Sequence, residues 1–339
     1  MGISIGLLPG LVKPASALLT ELAGNCIRYN ADTYPDCCVM IDRLRLYRAG
    51  IWALTAPLPR ARRVALRHRL RAELDNRRVL AADILVLSRA KSGRTWLRAM
   101  LSRLYQARHG LPEQQLLEYD NFHAQNAAIP VIAMTHGHYL EKLAASDRHG
   151  KALKAMPVVF LLRDPREVAV SEYFQSTRRA SAYKRELYQV EDSGSMFEFV
   201  MQSPLGLAAI CDYLNHWHQE LAGWDRVYRL YYETLRAEPE AEMGRMLDFL
   251  GTDFSTEEIS EAVAFTSFEA LKRKERENFF KNSRLKARNV EDPDSYKVRR
   301  GKVGGYRDYF SDSEIERIDR YVEERLLPEL AERFRITPD

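Results

Sequence analysis

The fold is decided by the stretch Ile84-Leu85-Val86-Leu87-Ser88-Arg89-Ala90-Lys91-Ser92-Gly93-Arg94-Thr95-Trp96. Its first four residues are an uninterrupted apolar run, which is typical of a short strand buried on both faces of a parallel sheet. After Trp96, apolar residues recur on one helical face, with Arg98 and Arg103 elsewhere on the helix. A tight turn therefore joins a buried strand to a helix, and a helix N-terminus at such a turn binds phosphate.

The residues of this turn suit an anion. Gly93 allows the backbone to approach a ligand closely, Lys91 adds a positive charge, and Ser92 and Thr95 add hydroxyl donors. The loop is not a Walker A loop, because leucine and alanine stand at its two glycine positions. A plain strand-to-helix turn with a solvated lysine is the alternative interpretation.

A second segment, residues 162–171, repeats this arrangement. The apolar run 158–162 ends at Arg163, and Pro165 is suited to the first turn of a helix that carries Ser171 about two turns further on. An arginine at a strand end can hold a second phosphate through two parallel N–H groups. The alternative is a surface ion pair between Arg163 and a nearby carboxylate.

Further strands are predicted at residues 131–134 and 227–231, and a closing helix at 315–330, with helices between the strands. This alternation predicts an α/β fold: a central, mostly parallel sheet flanked by helices, with a P-loop-like phosphate-binding turn. We divide the chain into a basic, helical N-terminal extension, residues 1–79, and a catalytic domain, residues 80–339.

Composition limits the function. The chain has 339 residues, 46% of them hydrophobic and 29% charged, which is ordinary globular composition. A net charge of +4 suits an anionic ligand but not a protein that coats nucleic acid, so we expect no nucleic-acid partner. Residues 1–79 carry 13 positive and 6 negative charges. Within them, residues 60–74 are predicted to form a basic helix, which is either solvated or makes peripheral contact with an anionic membrane or an acidic partner.

The cysteines indicate a reducing compartment. The chain has four cysteines: Cys26, Cys37, Cys38 and Cys211. Their spacing contains no C-x-x-C pair, so we interpret them as reduced thiols of a cytoplasmic protein. We find no apolar stretch of about 18 residues that would span a membrane, and we expect no cleaved leader. The oligomeric state is left open.

Five segments, taken in order, resemble the sulfotransferase family that uses 3′-phosphoadenosine 5′-phosphosulfate (PAPS), in particular its cytosolic type. Residues 90–96 resemble the motif P-K-S-G-T-T-W, and residues 163–171 resemble R-N-P-x-D-x-x-x-S. Residues 231–235, 265–268 and 299–306 resemble Y-E-D-L, T-S-F and R-K-G-x-x-G-D-W. The resemblance covers residues 80–335, and the ordered set is far more specific than any single motif.

The resemblance implies a role for each matching residue. Lys91 would hold the 5′-phosphate and neutralise the bridging oxygen, within a backbone cradle formed by Ser92, Gly93, Arg94 and Thr95. The 3′-phosphate would be bound by Arg163, Ser171, Arg299, Arg300 and Gly301. The adenine would be enclosed by Trp96, Tyr232, Thr266 and Phe268. No metal is expected, because lysine and arginine already supply positive charge.

The resemblance also implies a general base. Thr135-His136-Gly137-His138 follows a predicted strand and is similar to the family's K-T-H segment, which implies that His136 is the base. Met134 stands where that segment has lysine, so the lysine's auxiliary role cannot be assigned here. His138 is the alternative base, and a metal pair of the two histidines would need a third ligand that the nearby sequence does not show.

The function predicted is transfer of a sulfuryl group from PAPS to an acceptor hydroxyl on a small molecule, glycan or lipid-linked compound, with adenosine 3′,5′-bisphosphate (PAP) released. The alternatives are a P-loop-type small-molecule kinase and a non-catalytic nucleotide-binding protein. Residues 272–288 are basic and fall where the family has a mobile loop over the active site. This stretch either closes over the nucleotide, meets an acidic acceptor or is simply solvated.

Overall fold

The computed structural model describes residues 50–180 and 194–335, apart from residues 139, 148 and 283. The chain divides into two compact units, Met1–Pro57 and Leu58–Asp339. In the first unit, residues 50–55 are helical. Cys26, Cys37, Cys38 and most of the predicted N-terminal extension lie outside the described residues. Of the helices described, none is long and apolar enough to cross a membrane.

Four parallel strands form the sheet of the second unit. They are β1 (Ile84–Ser88), β2 (Ile132–Thr135), β3 (Val158–Leu162) and β4 (Val227–Tyr231), in the spatial order β2-β1-β3-β4. Each lies within one residue of a predicted strand. The two central strands, β1 and β3, are buried along their whole length, as their unbroken apolar sequences require. The predicted α/β fold with a parallel central sheet is confirmed.

Thirteen α-helices accompany the strands in the described part of this unit. Those before β3 are α1 (Arg60–Leu80), α2 (Arg94–His109), α3 (Leu140–Ala144) and α4 (Gly150–Ala155). Those between β3 and β4 are α5 (Pro165–Phe174), α6 (Met196–Gln202) and α7 (Leu207–Glu220). The remainder are α8 (Tyr232–Ala237), α9 (Pro239–Leu250), α10 (Thr256–Phe265), α11 (Phe268–Arg276), α12 (Asp312–Arg325) and α13 (Pro328–Arg333).

The core has two layers, one on each face of the sheet. Leu85 and Leu87 of β1 point to the face covered by α5, α7 and α12. Ile84 and Val86 point to the opposite face, which α2, α9 and α10 cover. Because successive side chains of a strand alternate between faces, one short apolar strand supplies both cores. Cys211 lies in the first core, where burial raises the pKa of its thiol to about 12.

Three local expectations are corrected. The predicted closing helix is two helices, because Pro328 cannot continue α12 and instead begins α13. Arg98, placed off the apolar face of α2, is only 5% exposed and donates a hydrogen bond to the carbonyl oxygen of Leu117. The basic stretch 272–288 starts within helix α11, so its first five residues are not a loop. The predicted basic helix 60–74 is present and extends to Leu80.

The buried centre of β1 predicts a large stability cost for truncation. Leu85→Ala should lower the free energy of unfolding by about 2–5 kcal/mol, because it leaves a cavity between the sheet and its helices. Urea denaturation followed by circular dichroism measures this change. Val290→Ala, at a half-exposed side chain, is the matched control and should change stability by less than about 0.5 kcal/mol. Equal effects of the two substitutions would contradict this account of the core.

Candidate active site

The turn between β1 and α2 is held in an unusual backbone conformation. Lys91 and Gly93 have φ angles of 70° and 99°, in the left-handed region. A Cβ atom on Gly93 would lie 2.6 Å from Cδ2 of Tyr232, so only glycine fits here. The chain then enters α2 at Arg94, whose first turn leaves N–H groups without partners inside the helix. The sequence thus builds a compact turn at the carboxyl end of β1, with a geometry that suits an anion.

The end of β3 lies beside this turn. Asp164 caps α5 by accepting a hydrogen bond from the backbone N–H of Arg166 at 2.9 Å, and Pro165 fills the first helical position. Arg163 precedes this cap. Its Nη1 donates to the carbonyl oxygen of Lys91 at 3.1 Å, and its Nη2 donates to Glu167 at 3.1 Å. The guanidinium of Arg163 therefore links the ends of the two central strands.

These strand ends open into one cavity of about 420 Å³. All the predicted site residues except Ser92 line it: Lys91, Gly93, Arg94, Thr95, Trp96, His136, Arg163, Ser171, Tyr232, Thr266, Phe268, Arg299, Arg300 and Gly301. Ser92 is 1% exposed, and its Oγ has no hydrogen-bond partner in the part of the chain that the structure describes. His138, the alternative base, also lines the cavity.

The cavity wall is strongly positive. Eleven lysine and arginine residues line it, against two glutamates, Glu167 and Glu172. Glu167 already has two hydrogen-bond donors within the protein. It accepts hydrogen bonds from Arg163 and from the backbone N–H of Tyr306 at 3.0 Å. Some of these cations also pair with carboxylates outside the lining: Arg179 with Glu275, Arg284 with Glu118, and Arg300 with Asp308. The cations remain in excess of these carboxylates. The wall therefore fits a ligand that carries several negative charges.

Lys91 has a lowered pKa in this wall. Burial is the largest cause, and it lowers the pKa of the ammonium group to about 8. The neighbouring carboxylate of Glu172 raises the pKa, whereas the guanidinium groups of Arg179 and Arg163 lower it. The ammonium donates a hydrogen bond to Oε1 of Gln175 at 3.1 Å. Lys91 is thus mostly protonated at neutral pH and close to its titration range.

His136 is held as a neutral imidazole with a defined tautomer. Its Nδ1 lies 2.9 Å from the carbonyl oxygen of Ser88, which can only accept, so Nδ1 carries the proton. Its Nε2 therefore carries the lone pair, and it accepts a hydrogen bond from Nη2 of Arg94 at 2.7 Å. Burial and the charge of Arg94 keep the pKa of His136 well below its usual value. At neutral pH the ring is in the form that a general base requires.

Aromatic side chains form the opposite part of the wall. Trp96 donates its indole N–H to the carbonyl oxygen of Thr266 at 3.0 Å, and its ring meets Tyr232 edge-on, with centroids 5.8 Å apart. Phe268 packs under Gly301, where a Cβ atom would approach Cδ2 of the ring to 2.6 Å. The guanidinium of Arg163 lies 4.2 Å from the centre of the Tyr232 ring.

The two predicted arginines near the C-terminus differ in setting. Arg299 lies 3.7 Å from the centre of the Phe174 ring and donates to the hydroxyl of Tyr309 at 2.6 Å, which holds it in the wall. Arg300 is 42% exposed and pairs with Asp308 at 2.6 Å. Arg299 is therefore positioned within the cavity, whereas Arg300 lies at its rim.

Gln175, Arg179 and Lys297 are three of the polar lining residues that were not predicted. Gln175 lies one helical turn beyond Ser171, a spacing that places both on one face. Arg179 pairs with the buried carboxylate of Glu275 at 3.2 Å. Lys297 stands two residues before Arg299, and burial and Lys91 keep its pKa well below its usual value. Helical spacing from Ser171 indicates Gln175, whereas Arg179 and Lys297, which lies in an irregular segment, carry no comparable signal in the sequence.

Comparisons with known proteins define the class. A family model described as a sulfotransferase domain matches residues 81–329. Cytosolic sulfotransferase 12 of Arabidopsis thaliana is 27% identical over 266 residues, which cover 72% of this chain and 77% of that protein. Sulfotransferase 2A1 of Mus musculus is 24% identical over 171 residues, which cover 50% of this chain and 55% of that protein.

The chain belongs to the sulfotransferase family. The expected family, and with it the expected reaction class of sulfuryl transfer from PAPS, are confirmed. Among solved structures, that of mouse sulfotransferase SULT7A1 complexed with PAP has a TM-score of 0.49 and 18% identity, and the match covers 75% of this chain and 87% of that chain.

The close approach at Gly93 predicts a specific loss of binding. Gly93→Ala should weaken PAP binding by about tenfold or more, since a positive φ is costly for alanine and the new methyl group would displace Tyr232. Isothermal titration calorimetry measures the affinity. Gly223→Ala is the control, because no heavy atom lies within 4 Å of its added Cβ. Wild-type affinity in Gly93→Ala would contradict the assignment of this turn.

The lowered pKa of Lys91 predicts a pH dependence. The ammonium is charged below about pH 8 and loses its charge above it, so PAP affinity should fall as the pH rises through this value. The loss of one bound proton limits the fall to about tenfold per pH unit. Titrations from pH 6.5 to 9.5 measure it. In Lys91→Arg, PAP affinity should no longer fall near pH 8, because the guanidinium stays charged. A fall that persists in this variant would be caused by another titratable group.

Proposed function

We propose that the cavity binds PAPS across the ends of β1 and β3, and that the enzyme transfers its sulfuryl group to an acceptor hydroxyl with His136 as general base. One observation supports this most directly. Two strand-to-helix turns, each with a cation at the strand end, meet in a cavity lined by eleven cations and two glutamates, beside a neutral histidine. Two separate phosphate groups on one ligand match two such turns.

The residues present fit this donor. The turn with Lys91 and Gly93 is suited to the 5′-phosphate, and Arg163 with Arg299 is suited to the 3′-phosphate. Buried polar atoms of the site lack partners among the described residues: Nε of Arg163, Nη1 of Arg94 and Oγ of Ser92. Unsatisfied buried donors are costly, so an anionic ligand that satisfies them gains affinity.

The mechanism follows from the side chains. PAPS supplies an activated sulfuryl group whose leaving group is the 5′-phosphate of PAP. Nε2 of His136 accepts the proton of the acceptor hydroxyl, and the acceptor oxygen forms a bond to sulfur while the bond from sulfur to the bridging oxygen breaks. Lys91 stabilises the negative charge that develops on that bridging oxygen. Ser88 holds the histidine ring in the required tautomer throughout.

The kinase alternative requires a metal-bound triphosphate. The first turn lacks the Walker A glycines that cradle such a triphosphate. The expectation of metal-free catalysis stays a prediction. Measuring turnover distinguishes the proposed enzyme from a non-catalytic nucleotide-binding protein.

The acceptor is proposed only as a hydroxyl compound. Acceptor pockets are built from loops, and their chemistry does not follow from the nucleotide-binding turns. A cytoplasmic setting is supported by the Arabidopsis thaliana relatives, which are named cytosolic sulfotransferases. Peripheral membrane contact through residues 1–79 stays a prediction.

The base assignment is tested with two matched variants. His136→Ala should bind PAP within about twofold of wild type but lose about 10²–10⁴-fold in turnover, since it removes only the proton acceptor. His138→Ala, two residues away, should retain most turnover. Release of PAP from PAPS is measured with a panel of phenols, aliphatic alcohols and sugars.

The opposite pattern in these variants would move the base to His138. If the wild type binds PAPS but transfers to no hydroxyl compound in the panel, a non-catalytic binding protein would be supported instead.

A further inference from the structure

Arg94 donates a hydrogen bond to Nε2 of His136, the ring nitrogen that would accept the proton of the acceptor. Arg94 is the first residue of α2, and its Nη2 lies 2.7 Å from Nε2 of the histidine. Its other terminal nitrogen, Nη1, is buried and makes no hydrogen bond to any described residue. One guanidinium thus has one nitrogen on the base and another without a partner.

This contact conflicts with catalysis. Nδ1 of His136 carries the proton that it donates to Ser88, so the lone pair on Nε2 is the ring's only basic site. A guanidinium offers donors only, and the pKa of Arg94, lowered by burial to about 10, keeps it charged at neutral pH. While Arg94 holds Nε2, an acceptor hydroxyl cannot give its proton to that atom. Arg94 must therefore move before the reaction.

The destination must be negatively charged, because a buried guanidinium without a partner is costly. Arg94 lies three residues after Lys91 in the same turn, and both line the cavity. We propose that the Arg94 side chain binds the sulfuryl oxygens of PAPS, and that this exchange of partners frees Nε2 of His136 for the acceptor. Donor binding then activates the base. The inference rests on the proposed function. It gives the Arg94 side chain a role, whereas the family resemblance implies a role only for the Arg94 backbone.

The test compares PAP and PAPS, which differ only in the sulfuryl group. Arg94→Gln should weaken PAPS binding by about 10–100-fold, which is the loss of one or two charge-assisted hydrogen bonds, and should change PAP binding by less than about twofold. Isothermal titration calorimetry without acceptor measures both affinities. Arg108→Gln is the control, since Arg108 lies in the last turn of the same helix and pairs with Glu258.

A second readout follows the base itself. In ¹⁵N-histidine-labelled wild-type enzyme, the Nε2 resonance of His136 should shift on addition of PAPS and stay nearly unchanged with PAP. Circular dichroism shows whether Arg94→Gln is folded; if it is not, this resonance in the wild type decides alone.

Three results would overturn the inference. Equal weakening of PAP and PAPS would assign Arg94 to the nucleotide, and no weakening of either would remove its role. Unchanged donor binding with a raised KM for an anionic acceptor would assign Arg94 to that acceptor. Failure of the wild type to bind PAP would instead contradict the proposed function.

Discussion

The hydrogen bond from Nη1 of Arg163 to the carbonyl oxygen of Lys91 joins the ends of the two central strands. It fixes the left-handed residue Lys91 from one side, while Tyr232 packs against Gly93 from the other. The first contact exists because β1 and β3 are neighbours in one parallel sheet, and the second because β4, which Tyr232 follows, lies next to β3. Parallel strands place their carboxyl ends, and hence their anion-binding turns, at the same edge. The geometry of the whole cavity depends on this arrangement.

Burial and the positive charge concentrated in the cavity lower the pKa values of Lys91 and His136. Burial lowers the pKa of Lys91, and the like charges of Arg163 and Arg179 lower it further. The same effects keep His136 neutral. Without a ligand these groups are held at an electrostatic cost, and an anion with several charges relieves it. Under the proposed function the donor completes this cavity, and the contact of Arg94 with His136 belongs to the state before the donor binds.

The strands and both turns were predictable because short apolar runs followed by Gly, Pro, Lys and Arg have few structural solutions. The family resemblance also indicated many of the residues that line the cavity, among them His136. Long-range contacts were not predictable. The stacking of Arg163 on Tyr232 joins residues 69 positions apart, and the hydrogen bond between Arg94 and His136 joins residues 42 apart. Neither leaves a pattern in the local sequence, and the break before Pro328 was missed because apolar spacing continued across it.

The central claim is that one ligand spans both turns, with a phosphate at each. The most direct test is metal-free calorimetric titration of the wild-type protein with PAP and, separately, with adenosine 5′-monophosphate, which lacks the 3′-phosphate. The account predicts that PAP binds at least about 10–100-fold more tightly, because Arg163 and Arg299 make charge-assisted hydrogen bonds to the second phosphate. Equal affinities, or no binding of PAP, would contradict it.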